Sequence, residues 1–279
     1  MKALNYCFFI GLCSAFCLPA SAQKLPEVQE ESIWSAAPVK IDGKLAGDAA
    51  FAAYNKRTLL SYSLSNDANN LYLVMSSADA AGSSKIMAGG ITFTVNTSGK
   101  KKEKDAYAVT FPYVKRPERG QRGAGGQGRM GPQGIRQGQQ NQALDSAAIA
   151  ERRKQQLSQF KEIKVGGFPE ITDSLVSVFN EYGIKAGINY DKENNLVYEL
   201  AIPLKLLSLD PAKGQEFSYN IKVNGRSFSA GAGFGGRGAG GFGGMNGGGG
   251  NNNVVIRQGF DPSMLEPVDF WAKYALVSK

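Results

Sequence analysis

The chain has 279 residues, a formal charge of +8 and three cysteines, and it contains no histidine. Without an imidazole it cannot build a histidine-based zinc or haem site, a Ser-His-Asp triad or a Cys-His nucleophile. Carboxylates, lysine, arginine and tyrosine are the groups that remain for chemistry.

The N-terminal 22 residues are predicted to form a secretory signal peptide. Lys2 precedes a mainly apolar run over residues 6–18, and the small residues 20–22 come just before Gln23. This order is typical of an exported protein, so a periplasmic, extracellular or cell-surface location is expected. The run is too short for a transmembrane helix, and no later stretch approaches the roughly 18 apolar residues that one needs.

Cys13 and Cys17 raise the alternative of a lipoprotein signal, in which a cysteine carries the lipid. The residues before them, Leu12 and Phe16, are larger than the side chains that the processing peptidase accepts, so an ordinary signal peptide is favoured. Cleavage after Ala22 removes every cysteine of the chain. The exported protein then has no disulfide, and its hydrophobic core alone must stabilise it.

Two similar stretches are predicted to be hairpin turns. Asp67 is followed by ANNL and Asp191 by KENNL, and in both cases apolar strands run in and out. Asn and Asp suit such turns because they tolerate left-handed backbone and bond their own main chain. A calcium loop is the alternative, but it needs several acidic oxygens at defined spacing, and each turn offers at most two acids. The hairpin interpretation is therefore favoured.

Alternating apolar residues predict strands that each bury one face. The alternating sets are Ile91, Phe93 and Val95; Tyr107, Val109, Phe111 and Tyr113; Ile184, Ala186, Ile188 and Tyr190; Phe217, Tyr219, Ile221 and Val223; and Phe270, Ala272, Tyr274 and Leu276. One apolar face per strand is what a sheet needs when it covers a core on one side and meets water on the other. We expect an all-β fold, an antiparallel β-sandwich of the jelly-roll type, in a single domain over residues 23–279.

Two glycine-rich tracts carry the excess positive charge of the chain. Residues 115–142 hold six basic side chains against Glu118, and residues 225–253 hold two arginines and no acid. Such tracts bury too little apolar surface to offset their ordering entropy, so both are predicted to be disordered, flexible insertions. Their Arg-Gly spacing is similar to that of RNA-binding segments, but export makes nucleic acid an unexpected partner. Loose attraction to anionic glycans or lipid head groups is the open alternative.

A shorter basic segment, GKKKEKD over residues 99–105, is predicted to be the solvated tip of a hairpin. Its lysines would also keep a strand edge from pairing with another chain. A site for a polyanion is the alternative interpretation of the same residues.

One helix is predicted, over about residues 145–163, as part of the first insertion. It has a candidate cap at Asp145 or Ser146. The apolar residues that would share one side of it are Ile149, Leu157, Phe160 and Ile163. A short helical turn is also predicted at Pro203, because proline suits the first position of a helix.

The order of these motifs resembles the family 9 carbohydrate-binding modules and their DOMON-like relatives, most closely the form in secreted proteins of Bacteroidota. The motifs are VKIDGKLAGDAAF, NNLYLVMSSAD, GGITFTVNTSGKKKEKDAYAVTFP and GIKAGINYDKENNLVYELAIPL, which cover residues 39–112 and 183–207. The resemblance implies a β-sandwich that binds sugars or, in DOMON branches, haem. Asp48 matches the acidic residue after the IDGK motif, whereas Phe51 stands where the family usually has tryptophan, a position interpreted as packing.

The family's pair of sugar-binding tryptophans has no counterpart that can be aligned here. Candidate ligand-binding residues are therefore Trp271, which alternates with core positions in the last strand, and Tyr54 and Tyr113, which lie near loop ends. Haem would need ligation by Met or Tyr, so no cofactor is expected. No catalytic or metal residues are assigned.

Paired carboxylates are the one route to enzymatic activity that the composition leaves open. The candidates are scattered, and nothing in the sequence marks two of them as facing partners; they are Asp42, Asp48, Asp67, Asp79 and Glu199. We therefore expect an exported, non-catalytic binding module, with a polysaccharide or envelope glycan as its partner. The alternatives are a structural or interaction protein of the cell envelope that uses the basic tracts and, less favoured, a carboxylate-based hydrolase.

Overall fold

The computed structural model describes residues 24–45, 50–114, 146–225 and 265–279. The predicted signal peptide, the tract 115–142 and all of the tract 225–253 except Gly225 lie outside these described residues. Asp48 and the alternative helix cap Asp145 lie outside them as well.

Strands account for most of the regular structure in the described part of the chain. They are β1 (Ile33–Trp34), β2 (Ala53–Asn55), β3 (Leu60–Asn66), β4 (Asn70–Ser77), β5 (Ile91–Asn96), β6 (Tyr107–Phe111), β7 (Glu162–Gly166), β8 (Leu175–Ser177), β9 (Lys185–Tyr190), β10 (Leu196–Pro203), β11 (Glu216–Val223) and β12 (Val268–Ala275). The α-helices are α1 (Ala80–Gly89) and α2 (Ser146–Leu157), and short 3-10 helices lie at Leu204–Leu207 and Pro211–Lys213.

The strands form two sheets. Sheet A has the order β1-β3-β4-β10-β9, with β2 also paired to β3, and sheet B has the order β12-β11-β5-β6-β7-β8. Every pairing is antiparallel except the short one between β1 and β3. The predicted all-β, antiparallel sandwich is confirmed.

The core lies between the two sheets and is built from the alternating positions that the sequence indicates. Tyr62 of sheet A packs against Tyr219 of sheet B with their ring centres 6.4 Å apart, and their hydroxyls lie 3.1 Å apart. Tyr198 of sheet A packs in the same way against Phe111 of sheet B, at 6.2 Å. Each large side chain buried here contributes about 1.5–3 kcal/mol to the stability of the fold.

Both Asp-Asn stretches are hairpin turns, as predicted. The Asp67 carboxylate accepts hydrogen bonds from the N–H groups of Asn69 and Asn70, both at 2.7 Å, between β3 and β4. Asp191 accepts from the N–H of Asn195 at 2.8 Å between β9 and β10. The described residues contain no group of three or more acidic, His or Cys side chains that could hold a metal ion. They also include no helix of the length and apolar character that a bilayer crossing requires.

The helices differ from the prediction in number and in length. Helix α1 was not predicted; it begins after Asp79, whose carboxylate caps the N–H of Gly82. Helix α2 ends at Leu157, so the predicted extension to Ile163 is wrong, and Ile163 is buried in β7. The short turn after Pro203 is present as a 3-10 helix.

The GKKKEKD segment connects β5 to β6, and both of these strands are internal to sheet B. Its four lysines are exposed, as expected for a hairpin tip. However, neither strand of this hairpin is an edge strand, so the prediction that the lysines keep an edge of the hairpin from pairing is wrong.

Candidate ligand-binding cleft

The outer face of sheet A carries a line of small and polar residues across four strands. Ser63 of β3 pairs with Val74 of β4, Val74 pairs with Glu199 of β10, and Glu199 pairs with Gly187 of β9. Their side chains point away from the core because they alternate with core positions. Every residue of β10 is nevertheless buried, which shows that another part of the chain covers this face.

Residues 35–45, which we call the strap, cover this outer face of sheet A. One oxygen of the Glu199 carboxylate, Oε2, accepts hydrogen bonds from the N–H groups of Asp42 at 2.8 Å and Gly43 at 2.7 Å. These bonds join positions more than 150 residues apart in the chain. They fasten the IDG turn of the strap directly over the middle of sheet A.

Two glycines make this close contact feasible. Gly43 has a φ of 74°, a left-handed conformation that side chains disfavour. A Cβ at Gly187 would lie only 2.8 Å from the Gly43 nitrogen, so the bare backbone of β9 is what lets the strap lie against the sheet. The IDG part of the resemblance motif therefore has a structural role here.

The strap and sheet bring together two carboxylates that the sequence left scattered. Glu199 is only 2% exposed, and its burial raises the pKa of its carboxyl, although the N–H groups of Gly43 and Asp42 act in the opposite direction. Asp42 forms an ion pair with Lys40 at 2.7 Å, and this hydrogen-bonded pair lowers the pKa of Asp42. The two acids thus have opposite tendencies to ionise within one small region.

A cleft of about 520 Å³ lies between the strap and the outer face of sheet A. Its apolar walls come from Val39, Leu45, Phe51 and Val74, and its polar groups come from Ser35, Lys40, Asp42, Lys44, Ser63 and Glu199. The volume falls in the range of about 300–1,000 Å³ that is usual for small-molecule sites, which are likewise mainly apolar with a few polar groups. Phe51, interpreted from the sequence as packing, is half-buried and lines this cleft.

The three aromatic residues predicted to bind ligand do not form one site. Tyr54 of β2 pairs with Ser61 on the outer face of sheet A, two positions along β3 from the cleft residue Ser63, and it is 36% exposed. Trp271 is half-buried on the outer face of sheet B, and Tyr113 is half-buried just beyond the end of β6. Only Tyr54 therefore shares a face with the cleft, and binding by any of the three stays a prediction.

One exposed aromatic residue was missed from the sequence. Phe179, in the loop between β8 and β9, is 92% exposed. The side-chain amide of Asn180 donates to the carbonyl groups of Ser177 at 2.8 Å and Ile184 at 2.7 Å, which braces this loop. A lone phenylalanine among turn residues, in SVFNEYG, was the available signal.

The cleft does not suit the haem that the DOMON branch of the resemblance implies. Axial ligation in a chain without histidine would fall to Met or Tyr, and neither type lines the cleft. Met75 and Met87 are buried within the core instead.

Comparison with known proteins found no matching protein family and no matching curated protein. Two solved structures of a family 9 carbohydrate-binding module from Caldicellulosiruptor kristjanssonii are similar at low levels. The complex with glucose has 9% identity and a TM-score of 0.35 and covers 89% of this chain and 97% of that one. The complex with cellotriose has 11% identity and a TM-score of 0.29 and covers 69% and 75%. At these TM-scores the likeness carries no argument about the ligand of this chain.

Proposed function

We propose that this chain is an exported, non-catalytic carbohydrate-binding module that holds a sugar in the cleft between the strap and sheet A. The observation that carries the proposal is the lining of the cleft, which combines an aromatic ring, Phe51, with charged and hydroxyl groups in a sugar-sized space. The resemblance of the motif order to family 9 modules supports the same class of ligand. Export rests on the predicted signal peptide.

The chemistry of the lining suits a pyranose ring. A sugar presents C–H groups on one face, which pack on aromatic and aliphatic side chains, and hydroxyls around its edge, which need donors and acceptors. Phe51 and Val74 can meet the first requirement, and Lys40, Asp42 and Lys44 can meet the second. Tyr54, exposed on the same face of sheet A, is positioned to extend the surface for a longer glycan.

The state of Glu199 argues for binding without catalysis. Glycoside hydrolysis needs two carboxylates that reach the glycosidic bond from opposite sides. Glu199 is almost completely buried, and its Oε2 already accepts two backbone hydrogen bonds from the strap. Its role in this proposal is to fasten the strap, which leaves Asp42 without a catalytic partner among the described residues that line the cleft.

The competing function, an envelope interaction protein that uses the basic tracts, stays a prediction because the tracts lie outside the described residues. Deleting residues 115–142 and 226–253 separates the two functions. Sugar binding through the cleft survives this deletion, whereas association through the tracts disappears and already weakens with added salt.

The direct test is a glycan array followed by affinity electrophoresis in gels that contain the polysaccharide hit. Phe51→Ala is expected to weaken binding about tenfold, because it removes the stacking ring. Lys44→Gln, an exposed change at the rim of the cleft, is expected to weaken it about threefold without affecting folding. Phe179→Ala removes an aromatic ring from a different loop and serves as the matched control, with wild-type binding.

Two outcomes would contradict the proposal. The first is an array that gives no hit with folded protein. The second is wild-type affinity in both Phe51→Ala and Lys44→Gln, which would place any sugar elsewhere. Thermal unfolding of each variant shows whether a loss of binding reflects a loss of fold.

A further inference from the structure

The outer face of sheet B carries mainly polar side chains, unlike the mainly apolar cleft on sheet A. Trp271 of β12 pairs with Asn220 of β11, and Asn220 pairs with Thr94 of β5, so an indole and two polar side chains form one line across three strands. Trp271 is half-buried, whereas Asn220 and Thr94 are buried although they point away from the core. A segment of the chain must therefore lie over this line.

That segment is residues 99–105, which we call the lysine tip. Ser218 donates a hydrogen bond to the carbonyl of Gly99 at 2.7 Å, and Lys222 forms an ion pair with Glu103. Ser218 and Lys222 flank Asn220 along β11, and adjacent strands are only about 4.8 Å apart. The lysine tip is thus fastened on both sides of the line that contains Trp271.

The backbone of the lysine tip is also held from below. The amide of Asn96, at the end of β5, donates to the carbonyl of Lys102 at 2.9 Å and accepts from the N–H of Ser98 at 3.0 Å. The tip is therefore preorganised, which reduces the entropy that a ligand must overcome on binding. Fixed backbone with exposed lysine side chains is a better binding surface than a freely moving charged loop.

The charged residues that flank Trp271 on β12 have partners other than the lysines of the tip, so these lysines are available to bind a ligand. Asp269 accepts a hydrogen bond from Asn220 at 2.7 Å, and Lys273 pairs with Glu216 at 2.6 Å, so the charges that flank Trp271 on β12 already have partners. Within the lysine tip, the exposed side chains of Lys100, Lys101, Lys102 and Lys104 form no ion pair with any described residue. Asp105 is the remaining acid in the tip.

The outer face of sheet B also contains a hydrogen-bond acceptor that has no partner among the described residues. The nitrogen of the Asn220 amide donates to Asp269 and to the carbonyl of Phe270, but its buried oxygen has no hydrogen-bond partner among the described residues. Buried polar atoms in proteins nearly always have a partner. Because this oxygen is fully buried under the lysine tip, it is not itself a contact for a ligand bound on the surface of the tip.

We propose that Trp271 and the lysine tip form a second binding site, specific for an acidic polysaccharide. The exposed part of the indole would cover the C–H face of one pyranose, and the tip lysines would bind the carboxylate or sulfate groups of that sugar and its neighbours. This site lies on the opposite sheet from the cleft and does not depend on it. It adopts the polyanion interpretation of residues 99–105, since β5 and β6, which the lysine tip connects, are internal strands and need no edge protection.

An acidic glycan suits this surface better than the other polyanions. Single-stranded nucleic acids are usually held by several aromatic rings along a groove, and Trp271 is one half-buried ring on a strand. Insertion into a lipid surface needs several protruding apolar side chains, whereas Trp271 is a single half-buried ring in line with the polar Asn220 and Thr94. Both classes of partner are nevertheless included in the test.

The test is affinity electrophoresis of the full chain in gels that contain polygalacturonic acid, dextran sulfate or neutral dextran. The tip variant is K100Q/K101Q/K102Q/K104Q, and the stacking variant is Trp271→Ala. The matched control is K154Q/K161Q/K192Q/K205Q, which removes the same number of exposed charges from other parts of the surface. The basic tracts are present in every protein, so their contribution is constant across the series.

We expect the tip variant to weaken retention by the acidic polysaccharides about tenfold, since each exposed ion pair contributes a small amount. Trp271→Ala is expected to weaken it by a similar factor without a change of charge. The control and Phe51→Ala should be retained like the wild type, which separates this site from the cleft. Any retardation by neutral dextran should be the same for the wild type, the tip variant and Trp271→Ala, because a neutral sugar would bind in the cleft instead.

Three results would overturn the proposal. Equal loss of retention in the tip variant and the control would show that net charge alone matters. Wild-type retention of Trp271→Ala would remove the stacking component. Tip-dependent and Trp271-dependent binding that is stronger for single-stranded DNA, or for vesicles of phosphatidylglycerol, would assign the site to another class of ligand.

Discussion

The two outer faces of the sandwich differ in how the chain covers them. On sheet A the strap lies directly on the strands, fastened by the buried carboxylate of Glu199, and leaves one cleft beside it. On sheet B the lysine tip is fastened at its edges by Ser218 and Lys222, and it leaves an exposed row of lysines and a half-buried tryptophan. One face therefore offers a mainly apolar cleft and the other a charged surface.

The two sheets share the same alternation of core residues, but this alternation does not determine what covers their outer faces. Strand β11 alternates between apolar and polar residues, whereas the outward positions of β10 include the apolar Val197 and Ala201, and both strands are mostly buried. The strap and the lysine tip should therefore contribute differently to stability.

The largest effect is expected where the strap touches sheet A. Gly187→Ala would place a Cβ 2.8 Å from the Gly43 nitrogen, so it should lower the free energy of unfolding by about 1–3 kcal/mol. Gly166→Ala, in strand β7 of sheet B, is the matched control because a Cβ there would meet no atom within 4 Å. Urea denaturation measures both variants. Equal stability of the two would mean that the strap does not lie tightly on β9.

A smaller effect is expected where the lysine tip is fastened to sheet B. Ser218→Ala removes the hydrogen bond to the Gly99 carbonyl and should cost about 1 kcal/mol, with faster hydrogen exchange confined to residues 97–105. Ser61→Ala, on the outer face of sheet A, is the control, because its hydroxyl bonds to no described residue. An unchanged exchange rate in the tip of Ser218→Ala would argue that the tip is held in some other way.

The buried carboxylate of Glu199 on sheet A should affect how the free energy of unfolding depends on pH. Because burial raises the pKa of Glu199 above its ordinary value of 4.5, the folded state retains this proton longer than the unfolded state does. This group therefore lowers stability as the pH rises from about 4.5 through its folded pKa.

In Glu199→Gln the amide oxygen can still accept both strap hydrogen bonds, but the titration is gone. We expect the free energy of unfolding of the variant to equal that of the wild type near pH 4. Between pH 4 and 7 the variant should become increasingly more stable than the wild type. Glu193→Gln, on the β9–β10 turn, is the control and should follow the wild type. A variant that instead loses ground with rising pH would show that the charged carboxylate is the preferred form in the folded protein.

The smallest change in stability is expected at Phe179, which lies in the loop between β8 and β9 and on neither outer face. Phe179→Ala should change the free energy of unfolding by no more than about 0.5 kcal/mol, because the ring is exposed. Phe168→Ala is the contrasting variant, since Phe168 is buried 5.2 Å from the ring of Tyr107 and should cost about 3–5 kcal/mol. Similar losses of unfolding free energy in the two variants would indicate that the Phe179 ring is buried in solution rather than exposed.

The sequence predicted the strands in which apolar and polar residues alternate cleanly, as in β5 and β11, although much of their outer face is buried under the lysine tip. It did not predict α1, whose sequence AAGSSKIMAG is rich in small residues and has no apolar stripe. It extended α2 too far because Ile163 fits the spacing of a helix as well as that of a strand.

The cleft could be predicted only in part. The IDGK motif and Phe51 were recognised as parts of a family pattern, but their meeting with Glu199 depends on contacts across more than 150 residues. Local periodicity contains no information about such contacts. The aromatic candidates were chosen by type and position near loops, and their distribution over two opposite sheets follows from the strand order, which the sequence did not reveal.

The most direct test of the central claim is an NMR titration of the chain with soluble neutral oligosaccharides of glucose, xylose, mannose and galactose. We expect at least one of them to shift backbone amide signals mainly in the strap, at Phe51 and at Ser63, Val74 and Glu199. Shifts confined to sheet B, or no shift with any neutral sugar at millimolar concentration, would contradict it.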